Sequence, residues 1–292
     1  MKALRIADRD TAVGLAYCGY VPGLLASDPD LIDYVEVPFE MLLQTEAALD
    51  NVGDTPVVLH CASLSMAGNV PISENLRSSL TSIISRTSTP WVGEHLAFVR
   101  AQEPINEPSM ADAVIVDPDT GAYNVGYTVS PQYSPAILNR VLDAISEAED
   151  RFGLPVLLEN GPLYVSLPGS TMSQAQFICE LCDRRPETRL LMDLSHLEIT
   201  AQNSGEDVFE LMAKFPVENV VEVHLSGHSI QSGMHWDDHA RRAPEVLFQL
   251  LGGLMKRVSP RAVTLEYNWD TGFPLNGVRE DVARVKRIIG HG

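Results

Sequence analysis

Four cysteines are spread through 292 residues, at Cys18, Cys61, Cys179 and Cys182. That is too few for the disulfide framework that staples small secreted domains, and it suits a reducing compartment. Cys179 and Cys182 form a CxxC, but FICELCDRR has helical spacing and no second CxxC completes a zinc site, so they read as two small buried residues one turn apart. Basic residues are also scarce: 21 Lys plus Arg stand against 39 Asp plus Glu, a formal charge of −18. A surface that acidic repels phosphate backbones, so a nucleic-acid substrate would need a segregated basic groove. No window approaches the roughly 18 uncharged apolar residues of a membrane span. Near the amino terminus Lys2, Arg5, Asp8, Arg9 and Asp10 occupy the place where a signal peptide would be apolar. A cytoplasmic protein without a cleaved leader or membrane contact is expected. The chain also lacks a Gly/Ser-rich or Pro-rich linker, which argues against two domains.

What is present is a repeated alternation. Short apolar runs occur at 12–18, 34–39, 56–61, 91–98, 155–160, 189–194, 219–225 and 262–267. Between them lie amphipathic stretches at 74–87, 135–152, 173–185, 208–215, 244–258 and 278–289. Eight apolar runs with helices between them predict a single α/β domain over 1–292, a (β/α)8 TIM-type barrel, for which about 250 residues suffice. The connection 99–134 breaks the rhythm: two alternating segments flank Asp117-Pro118-Asp119-Thr120-Gly121, which predicts an inserted β-hairpin on the active-site face, serving as a lid or a docking surface.

Nearly every apolar run stops on a metal-ligand residue. VVLHC carries His60, VGEHL His95, VLLEN Glu159, LLMDL Asp193, VEVHL His224 and VTLEY Glu266. The companions DLSH and DDH add His196, Asp237 and His239. In a TIM-type barrel the carboxyl ends of the strands converge on one mouth, so these nine residues predict one site. A lone residue of this kind is more often a structural hydrogen-bonding group or a helix cap, but six strand ends in one chain make independent accidents a poor account. Imidazoles and carboxylates suit iron, zinc or manganese, and nine ligands exceed one coordination sphere, which implies two or three ions bridged by carboxylates. Glu36, Glu94, Asn160, Glu222, His228, Asp238 and Asp270 read as supporting groups, with Glu94 and Glu222 expected to turn away from the axis. Strand alternation likewise turns Cys61 away from His60.

The segments VGEHLAF, LLENGPLY, LMDLSH, EVHLSGHS, WDDHA and TLEYNWD resemble the signature of the multinuclear non-heme iron-dependent oxidative enzymes, within the xylose isomerase-like TIM barrels. Members of that family modify precursor peptides in methanobactin and thiaglutamate biosynthesis. The resemblance runs from about Gly14 to Asp270. It implies that His60, His95, Glu159, Asp193, His224, Asp237, His239 and Glu266 hold two to three iron ions, and that Glu159, Asp237 and His239 are the catalytic residues. Where the family usually has Asn, this chain has His196, which also coordinates metals and is closer to the endonuclease IV type of DNA-repair barrel. The implied reaction is dioxygen-dependent oxidation of a side chain, commonly cysteine, of a ribosomally made precursor peptide presented by a separate recognition protein. The rival readings are a trinuclear zinc phosphodiesterase or AP endonuclease-like hydrolase, a sugar isomerase or epimerase using one or two divalent ions, and a metal-storing or peptide-binding module without turnover.

Overall fold

The eight apolar runs form parallel strands because each is buried on both faces, one toward a shell of helices and one toward the barrel axis. The computed structural model describes residues 11–70, 72–101, 115–116, 123–165, 167–267 and 275–290. Its strands are β1 Ala12–Ala16, β2 Tyr34–Pro38, β3 Val57–Cys61, β4 Val92–His95, β5 Phe98–Ala101, β6 Ile115–Val116, β7 Tyr123–Val129, β8 Val156–Glu159, β9 Arg189–Asp193, β10 Val220–Leu225, β11 Gly227–Gln231, β12 Met234–Arg241 and β13 Ala262–Leu265. The order β1-β2-β3-β4-β8-β9-β10-β13 closes on itself as an eight-stranded parallel barrel, the (β/α)8 fold expected from the alternation.

The helices Glu74–Thr87, Pro135–Phe152 and Gln174–Arg184 each begin behind a serine whose side chain accepts from a first-turn backbone N–H, at Ser73, Ser134 and Ser173. Their apolar faces pack on the outward faces of the strands in one continuous core. A second, smaller cluster of Ala12, Tyr34, Val58, Trp91, Leu157, Leu191 and Ala262 plugs the barrel interior. No described helix is long and apolar enough to cross a membrane. Cys179 and Cys182 lie on the helix Gln174–Arg184, Cys182 buried and Cys179 half-buried, both as free thiols.

Two additions interrupt the barrel. The run 91–98 is not one strand: β4 ends at His95, and Phe98 opens β5, which joins β7 and β6 in a three-stranded antiparallel sheet. The expected hairpin is present as the antiparallel pair β6 and β7, with Val116 opposite Tyr123; its Asp117–Gly121 turn lies outside the described residues. The second addition, β11 and β12, is an antiparallel hairpin that follows β10 directly. Its turn, Ser232-Gly233, takes positive φ at both residues, as two-residue hairpins require.

Candidate metal centre

Strand ends fix the positions of six groups. His60, His95, Glu159, Asp193 and His224 lie at or next to the last residue of β3, β4, β8, β9 and β10, and Glu266 directly follows β13. Asp193 also caps the helix Leu194–Ser204: its Oδ1 accepts the His196 backbone N–H at 2.7 Å, which leaves Oδ2 free to face the mouth. That cap explains the DLSH spacing, because the residue three positions after a capping Asp begins its side chain at the same helix end.

Asp237 and His239 arrive from the β11–β12 hairpin. Ser229 pairs with Trp236 and Gly227 with Arg241, so Asp237 to Ala240 bulge out opposite His228. Asp238 holds that bulge by accepting the backbone N–H of Ser229 at 3.0 Å and of Ala240 at 3.2 Å. His239 has φ +52°, in the left-handed region that a non-glycine residue enters only at a cost. Gly227 is required at the foot of the hairpin, since a Cβ there would lie 2.2 Å from the Arg242 carbonyl oxygen.

The nine residues meet in one cluster, in which His95, Asp237 and His239 are half-buried and the others buried. Glu159 Oε2 lies 3.3 Å from His60 Nε2 and 3.3 Å from His95 Nε2, while Glu159 Oε1 is 3.2 Å from His196 Nδ1. His224 Nδ1 is 3.0 Å from Glu266 Oε2, and His239 Nε2 is 2.8 Å from Asp237 Oδ1. His196 Nε2 is 2.9 Å from Asp237 Oδ2 and 3.7 Å from Asp193 Oδ2. Three groups, the first two sharing Glu159, each bring ligand atoms within 4.8 Å of one another: His60, His95 and Glu159; Glu159, Asp193, His224 and Glu266; His196, Asp237 and His239. Glu159 belongs to two of them, the position expected of a bridging carboxylate.

Several of these atoms are buried yet unsatisfied. Glu159 Oε2, Asp193 Oδ2, His224 Nδ1, Asp237 Oδ1 and His239 Nδ1 have no hydrogen-bond partner, although opposite groups stand about 3 Å from most of them. Nitrogen and oxygen atoms at that separation whose N–H bonds do not aim at the oxygen are placed as joint ligands of an ion are. Two bonds of about 2.0–2.2 Å to one ion hold their ligand atoms roughly 3 Å apart. A divalent transition-metal ion therefore fits the residues present.

The surroundings orient the rings. Asn160 accepts the Asp193 backbone N–H on its side-chain oxygen at 3.0 Å, and its own carbonyl accepts from His196 Nδ1 at 2.7 Å, which leaves His196 Nε2 for the cluster. Glu94 turns outward as alternation requires and accepts the Leu64 backbone N–H at 2.9 Å. Glu222 does not turn away. It stands two residues before His224, hence on the same strand face, and its carboxylate accepts from Trp91 Nε1 at 2.6 Å and from the Thr264 hydroxyl at 2.9 Å inside the barrel. Asp270 lies outside the described residues.

Charge alternates around the cluster. Burial alone would depress His239, but Asp237 and then Glu266 lift it to about 10. His224 is likewise raised, against its burial, by Glu266 and Glu36. Burial raises Glu159 and Glu36, whereas burial and then His95 push His60 down. A cation taking these atoms would compete with the protons that the raised groups hold.

A cleft of about 180 Å³ opens onto the cluster between β7 and the loop after β8, with His95, His196, Asp237, Tyr127, Ser130 and Tyr164 in its wall. Tyr164 stacks on Trp236 at 4.6 Å between ring centroids and reaches Tyr127 through their hydroxyls at 3.2 Å. Sequence reasoning singled out neither Tyr164 nor Trp236; their flanking positions in LLENGPLY and WDDHA were the available signal.

A closed eight-stranded parallel barrel with helices between its strands is a (β/α)8 TIM-type barrel. It superposes on endonuclease IV from Thermus thermophilus with TM-score 0.52 and 15% identity, covering 96% of this chain and 100% of that one. A putative xylose isomerase from Rhodospirillum rubrum gives 0.52 and 15%, covering 95% and 98%. At that identity the likeness concerns the fold alone. The family described as "RiPP precursor modification enzyme MbnB/TglH/ChrH" matches residues 12–290, and the chain belongs to it. Relatives include a UPF0276 protein of Anaeromyxobacter sp., 28% identical over 255 residues, covering 86% of this chain and 82% of the relative. Another, from Caulobacter vibrioides, is 27% identical over 273 residues, covering 91% and 90%.

Proposed function

We propose that this protein is a multinuclear iron oxidase that uses dioxygen to modify a side chain, cysteine by preference, of a ribosomally synthesised precursor peptide presented by a separate recognition protein. The observation that carries this reading is the cluster of nine His, Asp and Glu groups, six of them buried, in which several buried ligand atoms face opposite groups without a hydrogen-bond partner. Family membership supports a precursor peptide as substrate.

In this reading His60, His95 and Glu159 hold one ion, Glu159, Asp193, His224 and Glu266 a second, and His196, Asp237 and His239 a third. Iron held there would supply open coordination positions for dioxygen and a substrate thiolate. The chain's own part is positional. Asn160 and Glu36 fix the tautomers of His196 and His224 by accepting from His196 Nδ1 and His224 Nε2, which leaves the other nitrogen of each ring for an ion. The cleft between Tyr127 and Tyr164 admits one side chain to the wall formed by His95, His196 and Asp237. The β5–β7 sheet stands beside that cleft and is the lid or docking surface for the peptide.

The test is elemental analysis of anaerobically purified protein, followed by dioxygen uptake with the precursor peptide. Two to three irons per chain and peptide-dependent uptake are expected. Full activity in protein loaded only with zinc would overturn the reading. The rival trinuclear zinc phosphodiesterase draws on His196 and would nick abasic DNA, but the net charge of −18 disfavours a polyanionic substrate.

A further inference from the structure

Outside the nine-residue cluster, the hairpin carries a second group of ligand-type side chains. Glu198 Oε2 lies 3.2 Å from His228 Nδ1, while the opposite nitrogen of that ring, Nε2, shares a 2.6 Å hydrogen bond with His235 Nδ1 that an ion held by both rings would replace. The two rings are 4.9 Å apart between centroids, and one ligand atom from each of the three residues lies within 4.8 Å of the other two. We propose that Glu198, His228 and His235 form a separate site for one first-row divalent transition-metal ion, which clips the β11–β12 hairpin to the helix Leu194–Ser204.

The first support is an unsatisfied pair. Glu198 is 6% exposed, and both its Oε2 and His228 Nδ1 are buried without a hydrogen-bond partner despite facing each other. A carboxylate oxygen buried in that state costs about 1–3 kcal/mol or more unless something else satisfies it. The same misaligned approach recurs between His224 Nδ1 and Glu266 Oε2 in the main cluster. The second support is donor chemistry. Two imidazoles with one carboxylate suit zinc, cobalt or ferrous iron with water completing the sphere, whereas calcium and magnesium require oxygen ligands throughout. The third is preorganisation and access. The His235 backbone is held on the helix by a reciprocal pair of 3.0 Å hydrogen bonds with the Asn203 side chain. A cavity of about 390 Å³ whose wall includes Glu198, His228, Ile230 and Arg241 gives a path from solvent.

The location gives the site its consequence. Glu198 shares a helix with His196, and His235 shares β12 with Asp237 and His239. An ion joining them ties together the two elements that supply the outermost group of the main cluster, so occupancy sets how closely those elements approach. The site neither uses nor requires iron chemistry at the barrel mouth.

Chelator-stripped protein is titrated with Zn²⁺ and separately with Co²⁺, comparing the unmodified chain with Glu198→Gln and His235→Gln, both checked for folding by circular dichroism. The unmodified chain is expected to bind one equivalent more than either variant. Zn²⁺ is expected to slow hydrogen exchange over 227–241 in the unmodified chain and to do so less in the variants. Diffraction at the zinc edge should place an anomalous peak among Glu198, His228 and His235. Both variants retain the nine residues of the main cluster, so failure of the main-site reading leaves this one-equivalent difference intact. Equal stoichiometry in all three proteins, or the absence of that peak from zinc-loaded crystals, overturns the proposal and leaves His228 and His235 joined by a shared proton.

Discussion

Glu36 Oε2 stands 2.9 Å from His224 Nε2, while the other nitrogen of that ring, Nδ1, faces Glu266 at 3.0 Å. The carboxylate at the barrel centre thus chooses which nitrogen His224 presents to the mouth. It also makes that nitrogen a stronger donor to a cation, because a hydrogen bond to an anion raises the basicity of the ring. Replacing Glu36 with Gln keeps the shape and removes the charge. Metal affinity is expected to fall by roughly 10–100-fold, measured by competition with a chromophoric chelator. Unchanged affinity would show that Glu36 does not act through His224.

The polar floor beneath the ring should matter for stability. Trp91 donates to Glu222 at 2.6 Å, and the same carboxylate accepts from Thr264 at 2.9 Å. Trp91→Phe removes one donor from a fully buried acceptor. Urea denaturation of the metal-free protein is expected to show a loss of about 1–3 kcal/mol; a difference within error would mean that the vacated space admits water.

Gly93 is a spacing element. A Cβ at this position would lie 2.7 Å from His60 Nδ1 and 3.0 Å from Leu191 Cδ1. Gly93→Ala must displace the His60 ring. The expected result is a stability loss of about 1–3 kcal/mol, as for other overpacked interiors, with weaker binding of an ion at the His60, His95 and Glu159 group.

Metal uptake should be proton-coupled, with a definite sign. His239 is raised from its ordinary value of 6.5 to about 10 in the folded chain. A raised histidine stabilises the metal-free fold fully below 6.5, and that contribution falls away as pH climbs through about 10. A cation must displace the same proton, so affinity is expected to increase with pH across this interval. Calorimetry in buffers of different ionisation enthalpy reads the released protons directly; uptake without proton release would contradict the charge pattern.

The barrel was legible because each strand is buried on both faces and therefore appears as an uninterrupted apolar run, and because the polar residue closing each run marks the mouth. Six of the nine clustered residues stand at those strand ends, whereas His196 comes from the helix after β9 and Asp237 and His239 from the β11–β12 hairpin. The floor was less legible. Glu222 was expected to turn outward beside His224, yet a spacing of two places both on one face, and its charge is accommodated by Trp91, Tyr34 and Thr264 brought from other strands. The hairpin that delivers Asp237 and His239 was also hidden. Alternation fails across 237–240, where the bulge depends on the Asp238 carboxylate and not on an apolar period. Ser232-Gly233 was its one local signal.

His239 combines a ligand-type side chain with a backbone at φ +52°. Glycine, or to a lesser degree asparagine, would occupy that conformation with less strain. A chain selected only for thermal robustness would therefore drift away from histidine at this position, and one selected for what the barrel mouth does would return to it.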